Sequence, residues 1–312
     1  MTGPDLVAGR ERALRSLELS VKRKLEGFLH GDMTGLRSGP GSEPNEARPY
    51  QAGQDDVRRM DWNVTARSLE PHVRAPLAER ELETWALVDA SASMDFGTAL
   101  SEKRDLAVAI VGAVGLLADR PGNRLGVRVA LGNQVTRIPD GSGPAALRRT
   151  LRTLLSLPRP ALGEHPVTDL GTAITRLNRE HPRPGLRVVA SDFHGDDWAV
   201  PLRRLGARHE VIAVEILDPR ELELPEVGLL TLVDPETGRR REIQTSKKRL
   251  RERYAAAMAA KRAETAQAIR AAGAAHLVLR TDTDWVRDVA AFATARRRAN
   301  VRRTPRGRTG IR

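Results

Sequence analysis

Apolar positions along the chain fall into two regimes. Between about Arg10 and Leu29 they recur every three or four residues, at Leu14, Leu17, Val21, Leu25 and Phe28, with Arg, Lys and Glu between them. Such a stripe predicts an amphipathic helix within residues 1–30. It breaks at Gly31, and the Gly-, Pro- and Ser-rich stretch from Gly31 to Gly53 reads as a long loop, which in a compact domain means either function or disorder.

From Thr84 onward the regime changes to short apolar runs separated by longer helical patterns. Thr84–Asp89 reads as a buried strand, Thr98–Asp119 as a helix stopped by Pro121-Gly122, and Arg124–Leu131 as a second strand. Gln134–Ile138 is expected to pair back on it through Gly132-Asn133. Helices are predicted at Pro144–Leu157, Asp169–Arg179 and Trp198–Gly206, with strands at Leu186–Ser191 and His209–Leu217. Leu229–Val233 and Arg240–Ile243 flank a Pro/Gly turn and form a hairpin insertion over about 227–244. A long Ala-rich helix, Ser246–Ala272, stops at Gly273; a strand at His276–Arg280 and a helix at Asp284–Arg298 complete the pattern. Strands alternating with helices predict an α/β, Rossmann-like three-layer domain with a mostly parallel sheet covered on both faces.

Composition narrows the chemistry. The 312 residues carry 52 Lys+Arg against 40 Asp+Glu, a net charge of +12, but the eight arginines from Arg296 to Arg312 supply +8 of it. The basic excess therefore belongs to an appendage, 296–312, expected to be a disordered arginine-rich tail, and the body is only mildly basic. Cysteine is absent, which removes disulfides, thiolate nucleophiles and Cys-based zinc sites. Only 3% of residues are aromatic, too few for base-stacking platforms. No apolar run reaches the roughly 18 residues of a membrane span, and no signal-peptide pattern opens the chain, so a cytoplasmic location is expected.

In an open parallel sheet, ligands bind beyond the carboxyl ends of the strands. Three polar clusters fall at such ends: Asp89-Ala90-Ser91-Ala92-Ser93, Thr168-Asp169 and Ser191-Asp192. The alternate spacing of one carboxylate and two hydroxyls in the first lets them converge above the sheet. An all-oxygen donor set suits a hard divalent cation. The seven histidines contain no i, i+4 pair, and Ser91 and Ser93 have no evident His–Asp couple. His194 is expected as a solvated loop residue, and Asp196-Asp197 as acids at the N-terminus of the helix they precede.

The order Asp-x-Ser-x-Ser, Thr-Asp, Ser-Asp resembles the metal-ion-dependent adhesion site of von Willebrand factor A domains. A longer resemblance lies upstream, in Arg48-Pro49-Tyr50-Gln51-Ala52-Gly53-Gln54-Asp55-Asp56-Val57-Arg58-Arg59-Met60-Asp61-Trp62, Ala66-Arg67 and Glu79-Arg80-Glu81. Further on stand Arg208-His209-Glu210, Asp218-Pro219-Arg220-Glu221, Leu224-Pro225 and Asp234-Pro235-Glu236-Thr237-Gly238. Together these resemble the domain of unknown function 58 family, from about Gly27 to Phe292. The resemblance implies a signature segment at 31–83, packed on a von Willebrand factor A-like domain at 84–295. It implies that Asp89, Ser91, Ser93, Thr168 and Asp192 hold Mg²⁺ or Mn²⁺, with one coordination position left for a partner's Glu or Asp. It also implies a MoxR-type AAA+ ATPase partner in chaperone-like assembly or activation of complexes, ATP hydrolysis belonging to that partner, since this chain has no Gly-x-x-x-x-Gly-Lys-[Ser/Thr] loop. One departure is Pro166-Val167, standing where the family often has glycines before the threonine.

The block from Arg48 to Arg67 reads either as a salt-bridged strap across the sheet or as a partner-docking surface, with Arg48, Tyr50, Asp61, Trp62 and Arg67 as its candidates. Two other functions stay in view. A Mg²⁺-dependent phosphohydrolase would use Asp89 as nucleophile, helped by Asp192, Asp196 and Asp197. Such enzymes, however, want a second acid two positions later, where Ser91 stands. A nucleic-acid-binding accessory protein would use the 296–312 tail and the basic run Lys247-Lys248-Arg249, Arg251 and Arg253, but no recognised reading motif accompanies them.

Overall fold

The computed structural model describes residues 47–51, 56–68, 70–74, 83–117, 123–159 and 167–303. The expected N-terminal helix lies outside the described residues, as do 304–312 of the expected tail. The chain divides into two compact units, Arg37–Glu81 and the remainder.

The smaller unit pairs strand β1 (Ala47–Pro49) antiparallel with β2 (His72–Arg74), with helix α1 (Trp62–Ser68) between them in sequence. Asp61 starts that helix: its Oδ1 accepts the backbone N–H of Asn63 at 3.1 Å and of Val64 at 3.3 Å, satisfying two otherwise orphaned donors. Val73, in the middle of β2, is buried.

The larger unit is an α/β sandwich. Its strands are β3 (Glu83–Asp89), β4 (Arg124–Leu131), β5 (Gln134–Gly141), β6 (Leu186–Ser191), β7 (Glu210–Leu217) and, beyond an inserted hairpin of β8 (Leu229–Val233) with β9 (Arg240–Gln244), β10 (Ala275–Arg280). The main sheet has the order β10-β7-β6-β3-β4-β5, and every neighbouring pair is parallel except β4 with β5. The helices are α2 (Lys103–Leu117), α3 (Gly143–Ser156), α4 (Leu170–Glu180), α5 (Ala199–Gly206), the single turn α6 (Pro219–Leu222), α7 (Lys248–Ala271) and α8 (Trp285–Arg303). This is the three-layer, mostly parallel arrangement expected from the alternation of runs.

Alternate residues of each strand feed two cores. Ala86 and Val88 of β3 face a layer holding Leu106 and Ile110 of α2, Leu151 of α3 and Val286 of α8. Trp85 and Leu87 face Leu170 and Ile174 of α4, Leu202 of α5 and Ile269 of α7. Being covered on both sides, β6 is buried at every residue and β3 at all but its first, so their middles read as apolar runs, Trp85–Val88 and Val188–Ala190, while the buried Arg187 is accommodated by the carbonyls of Glu83, His181 and Arg183. The edge strand β5 is largely exposed and carries Pro139, whose missing N–H an edge tolerates. At the β3–β4 pair the Trp85 ring lies over Gly126, where a Cβ would stand 2.4 Å from a ring carbon. Only glycine leaves room there for the indole.

Two departures from the expected elements have local causes. The segment after β3 is first a short 3₁₀ turn, Ala92–Asp95, and the helix begins only at Lys103, because Thr98 gives its N–H and hydroxyl to Asp218. The last helix continues to Arg303, into the stretch expected to be a disordered tail. Its Arg296 pairs with Glu210 on β7, tying down the first arginine of the basic run. Among the described residues, no helix is long and apolar enough to cross a membrane.

Candidate functional site

The sheet order places a switch point beside β3. The chain leaves β3 for β4 on one side and returns through β6 on the other, so the loops that follow β3 and β6 diverge and open a crevice over their carboxyl ends. Asp89 is the last residue of β3, and Asp192 directly follows β6. Ladder geometry therefore delivers both carboxylates to the same edge.

Four of the five expected metal residues form one hydrogen-bonded group. Asp89 Oδ1 accepts the Ser91 N–H at 2.9 Å, and Asp89 Oδ2 accepts the Ser191 hydroxyl at 2.6 Å. The hydroxyls of Ser91 and Ser93 lie 3.0 Å apart, and Ser93 Oγ donates to Asp192 Oδ2 at 2.8 Å. All four side chains are buried. Thr168 stands apart from this group: its half-buried hydroxyl accepts the N–H of Gly132 at 3.0 Å, which ties the α4 entry to the β4–β5 turn. Asp169 is the N-cap of α4, accepting the Thr172 N–H at 2.7 Å.

Charge is shared unevenly. Burial pushes the Asp89 carboxyl up to about 6, the Asp192 charge adds to the rise, and the bonds from Ser191 and Ser91 only partly offset it. Among the described residues no cation pairs with Asp89. Asp192 goes the other way. Burial alone would raise it, but the Lys103 charge and the His194 bond outweigh that and hold it well below the usual carboxylate range. Lys103 is wholly buried, and its Nζ lies 2.8 Å from Asp192 Oδ2 and 2.5 Å from Glu221 Oε1. His194 is the exposed loop histidine expected, and its Nδ1 also lies 2.8 Å from Asp192 Oδ2, so it lines the site. The Asp192 bond raises the His194 pKa, outweighing the partial desolvation that would lower it.

The oxygens gathered here fit a hard cation. Asp89, Ser91, Ser93 and Asp192 supply two carboxylates and two hydroxyls, and Asp89 is a buried anion short of a positive neighbour. Among the described residues no three His, Cys, Asp or Glu side chains gather as a metal cluster, so an ion bound here would lean on hydroxyl oxygen.

Sequence reasoning missed three contributors. Lys103 sits one helical segment away and looks like any charge at a helix start. Glu236, from the β8–β9 turn, has an Oε1 that accepts the Ser93 N–H at 3.2 Å across 143 positions of sequence. Phe193 adopts a left-handed backbone, φ 54°, which is uncommon for a bulky residue. It is held there by burial, by its N–H bond to Ser191 Oγ at 3.0 Å and by edge contact with Trp198 at 4.9 Å. Asp197 also acts elsewhere than expected: its Oδ2 accepts the Gly171 N–H at 2.8 Å, serving α4 and not α5, the helix it precedes.

In the smaller unit, Asp61 is buried and used in capping, whereas Trp62 is 68% exposed. Tyr50 donates its backbone N–H to Pro71 at 2.8 Å, beside β1, which holds Arg48 opposite Val73. Arg67 lies in the last turn of α1, where a cation favours the helix dipole.

The family model described as "Protein of unknown function DUF58" matches residues 46–264. The chain belongs to the DUF58 family. Its relatives include the uncharacterized protein Rv1480 of Mycobacterium tuberculosis, 53% identical over 287 residues, covering 92% of this chain and 89% of that one. The uncharacterized protein MAV169 of Mycobacterium avium is 46% identical over 165 residues, 53% of this chain and 96% of its own length. Among solved structures, the conserved hypothetical protein BatB from Bacteroides thetaiotaomicron is similar at 12% identity and a TM-score of 0.44, covering 70% of this chain and 99% of that chain. The SpRpn10 VWA domain is similar at 13% identity and a TM-score of 0.36, covering 74% and 100%. This DUF58 chain has the α/β, three-layer architecture with a mostly parallel sheet that its sequence implied.

Proposed function

We propose that this DUF58 protein is a non-catalytic protein-interaction module whose adhesion-type site engages an acidic side chain of a partner. Asp89, Ser91, Ser93 and Asp192, with Thr168 at the rim, would hold Mg²⁺ or Mn²⁺. The ion, when bound, supplies a Lewis-acidic position that a partner's Glu or Asp can fill. The observation carrying this reading is Asp89: a buried carboxylate beside a second one, raised to about 6 and lacking a cation. Lys103 cannot meet that need, being divided between Asp192 and Glu221.

The chain's own residues prepare the site. Ser191 and the Ser91 N–H orient Asp89, and Lys103 with His194 keeps Asp192 ionised at neutral pH. The phosphohydrolase alternative needs Asp89 as an approachable nucleophile. It also needs a second acid two positions after the nucleophile, where this chain has Ser91, which favours the binding role.

A MoxR-type AAA+ ATPase is the proposed partner, in chaperone-like assembly or activation of other complexes. The test uses purified full-length protein and a MoxR-type ATPase from the same genome. Capture is expected in Mg²⁺, and is lost with EDTA and in Asp89→Ala. Equal capture in all three conditions would defeat the adhesion-site mechanism.

A further inference from the structure

The β8–β9 hairpin is an arm that reaches the site from outside the main sheet. Its two strands form a sheet of their own, and Leu229 and Val233 are exposed. Hydrogen bonds secure its two ends. At the base, the buried Thr245 accepts the Val227 N–H at 3.0 Å and donates to the Gly228 carbonyl at 2.8 Å. At the tip, a tight turn presents Glu236. Asp234 Oδ1 accepts the N–H of Glu236 at 3.0 Å and of Thr237 at 3.3 Å, its Oδ2 accepts the Thr237 hydroxyl at 2.5 Å, and Gly238 takes φ 68° to close the loop.

The turn thus holds one carboxylate rigidly and aims it at Ser93, a proposed metal ligand, whose N–H it accepts at 3.2 Å. Glu236 has the chemistry required of a partner's side chain and stands at the residue such a side chain would approach. We propose that Glu236 occupies the approach to the adhesion site at Ser93, so that the hairpin arm is an autoinhibitory latch which an acidic partner segment must displace. The inference rests on the adhesion-site reading above.

The latch is weak enough to open. One hydrogen bond to a charged acceptor contributes about 1.5–3 kcal/mol, so its loss corresponds to roughly a 10- to 100-fold shift at 1.4 kcal/mol per tenfold. Gly228, at φ 78°, lies at the foot of the arm, where the backbone can absorb a change of direction. The Asp234–Gly238 motif, which the metal site alone leaves unexplained, acquires a role: it positions the competing carboxylate.

The test compares wild type, Glu236→Gln and Asp89→Ala, with Mn²⁺ as the metal probe and N-acetyl-Gly-Glu-Gly-amide as the acidic probe, its Gln analogue serving as control. Glu236 is a half-buried turn residue, and Glu236→Gln preserves shape while removing charge. Calorimetry is expected to show Mn²⁺ binding to wild type and none to Asp89→Ala. Glu236→Gln should still bind Mn²⁺, and the Mn²⁺-loaded variant should bind the Glu peptide about tenfold more tightly. In EDTA, amide hydrogen exchange at Ser93 should be several-fold faster in Glu236→Gln. Mn²⁺ binding that depends on Asp89, with peptide affinity unchanged by Glu236→Gln, overturns the latch and leaves the site reading standing. Failure of wild type to bind Mn²⁺ overturns both.

Discussion

Replacing Lys103 by Met tests how the site balances its charge. Lys103 is wholly buried, and its ammonium bridges Asp192 and Glu221 at 2.8 and 2.5 Å. Burial by itself would lower its pKa, but the two carboxylates outweigh that and raise it, so the group is charged at neutral pH. Methionine fills similar space without charge. Removing one partner of a buried pair costs about 3–5 kcal/mol, because the remaining carboxylate stays desolvated. In a domain of this size each kcal/mol moves the melting temperature about 2–4 °C, so a fall of roughly 10 °C is expected in EDTA. Without the ammonium, Asp89 and Asp192 become a stronger divalent site. At a Mg²⁺ concentration 100 times its Kd, binding adds about 2.7 kcal/mol, restoring well over half of the loss. Differential scanning calorimetry in EDTA and in Mg²⁺, with the Asp89→Asn/Lys103→Met double variant as control, measures both effects. If Lys103→Met melts within about 2 °C of wild type in EDTA, the buried pair carries no stability. If it melts low but ignores Mg²⁺, the two carboxylates do not form a cation site.

Two further predictions concern stability away from the site. Burial, assisted by the Arg187 charge, lowers the His209 pKa to about 4. Its folded pKa lies below the unfolded value of about 6.5, so the unfolded chain binds more protons between those values and stability falls as pH drops through that window. The loss approaches about 2 kcal/mol at pH 5. Urea midpoints at pH 7 and pH 5 should show a larger drop for wild type than for His209→Gln, and equal drops would refute the assignment. In the smaller unit, Asp61→Ala removes the α1 cap and should cost about 1 kcal/mol, whereas Trp62→Ala, at an exposed position, should change stability by less than about 0.5 kcal/mol. Circular dichroism melts separate the two. A large loss for Trp62→Ala would mean that the indole is a structural anchor and not a surface available to a partner.

Much of the fold was legible because its signals are local. A strand buried on both faces tends to be apolar at consecutive positions, so Leu186–Ser191 announced itself through Val188–Ala190 despite its buried Arg187. The β4–β5 hairpin was equally plain at Gly132-Asn133, where Gly132 does take φ 55°. Asp89, Ser91, Ser93 and Asp192 were legible for a related reason: polar residues that end an apolar strand have to emerge at the sheet edge. Thr168 was legible as a helix-entry residue, but its bond to Gly132 depends on how close the α4 entry comes to the β4–β5 turn, which no spacing records.

Element boundaries moved where side chains compete with the backbone. The helix predicted from Thr98 begins at Lys103, because Thr98 gives its N–H and hydroxyl to Asp218 at 2.8 and 2.7 Å. Asp196-Asp197 illustrates the same limit. Asp197 lies next to one helix in sequence and caps another in space.

By itself, the sequence determined the layer architecture, the crevice-facing residues and the exclusion of sulfur ligands. Periodicity, strand-end polarity and composition are properties of neighbouring residues, and they survive without knowledge of the fold. Only the tertiary structure decided the charge state of the site. Lys103 on α2 and His194 beyond β6 reach Asp192, Glu221 on α6 reaches Lys103 and Glu236 on the hairpin arm reaches Ser93, all from separate elements, and Coulomb energy depends on distance through space and on burial, neither of which is written in the order of the residues.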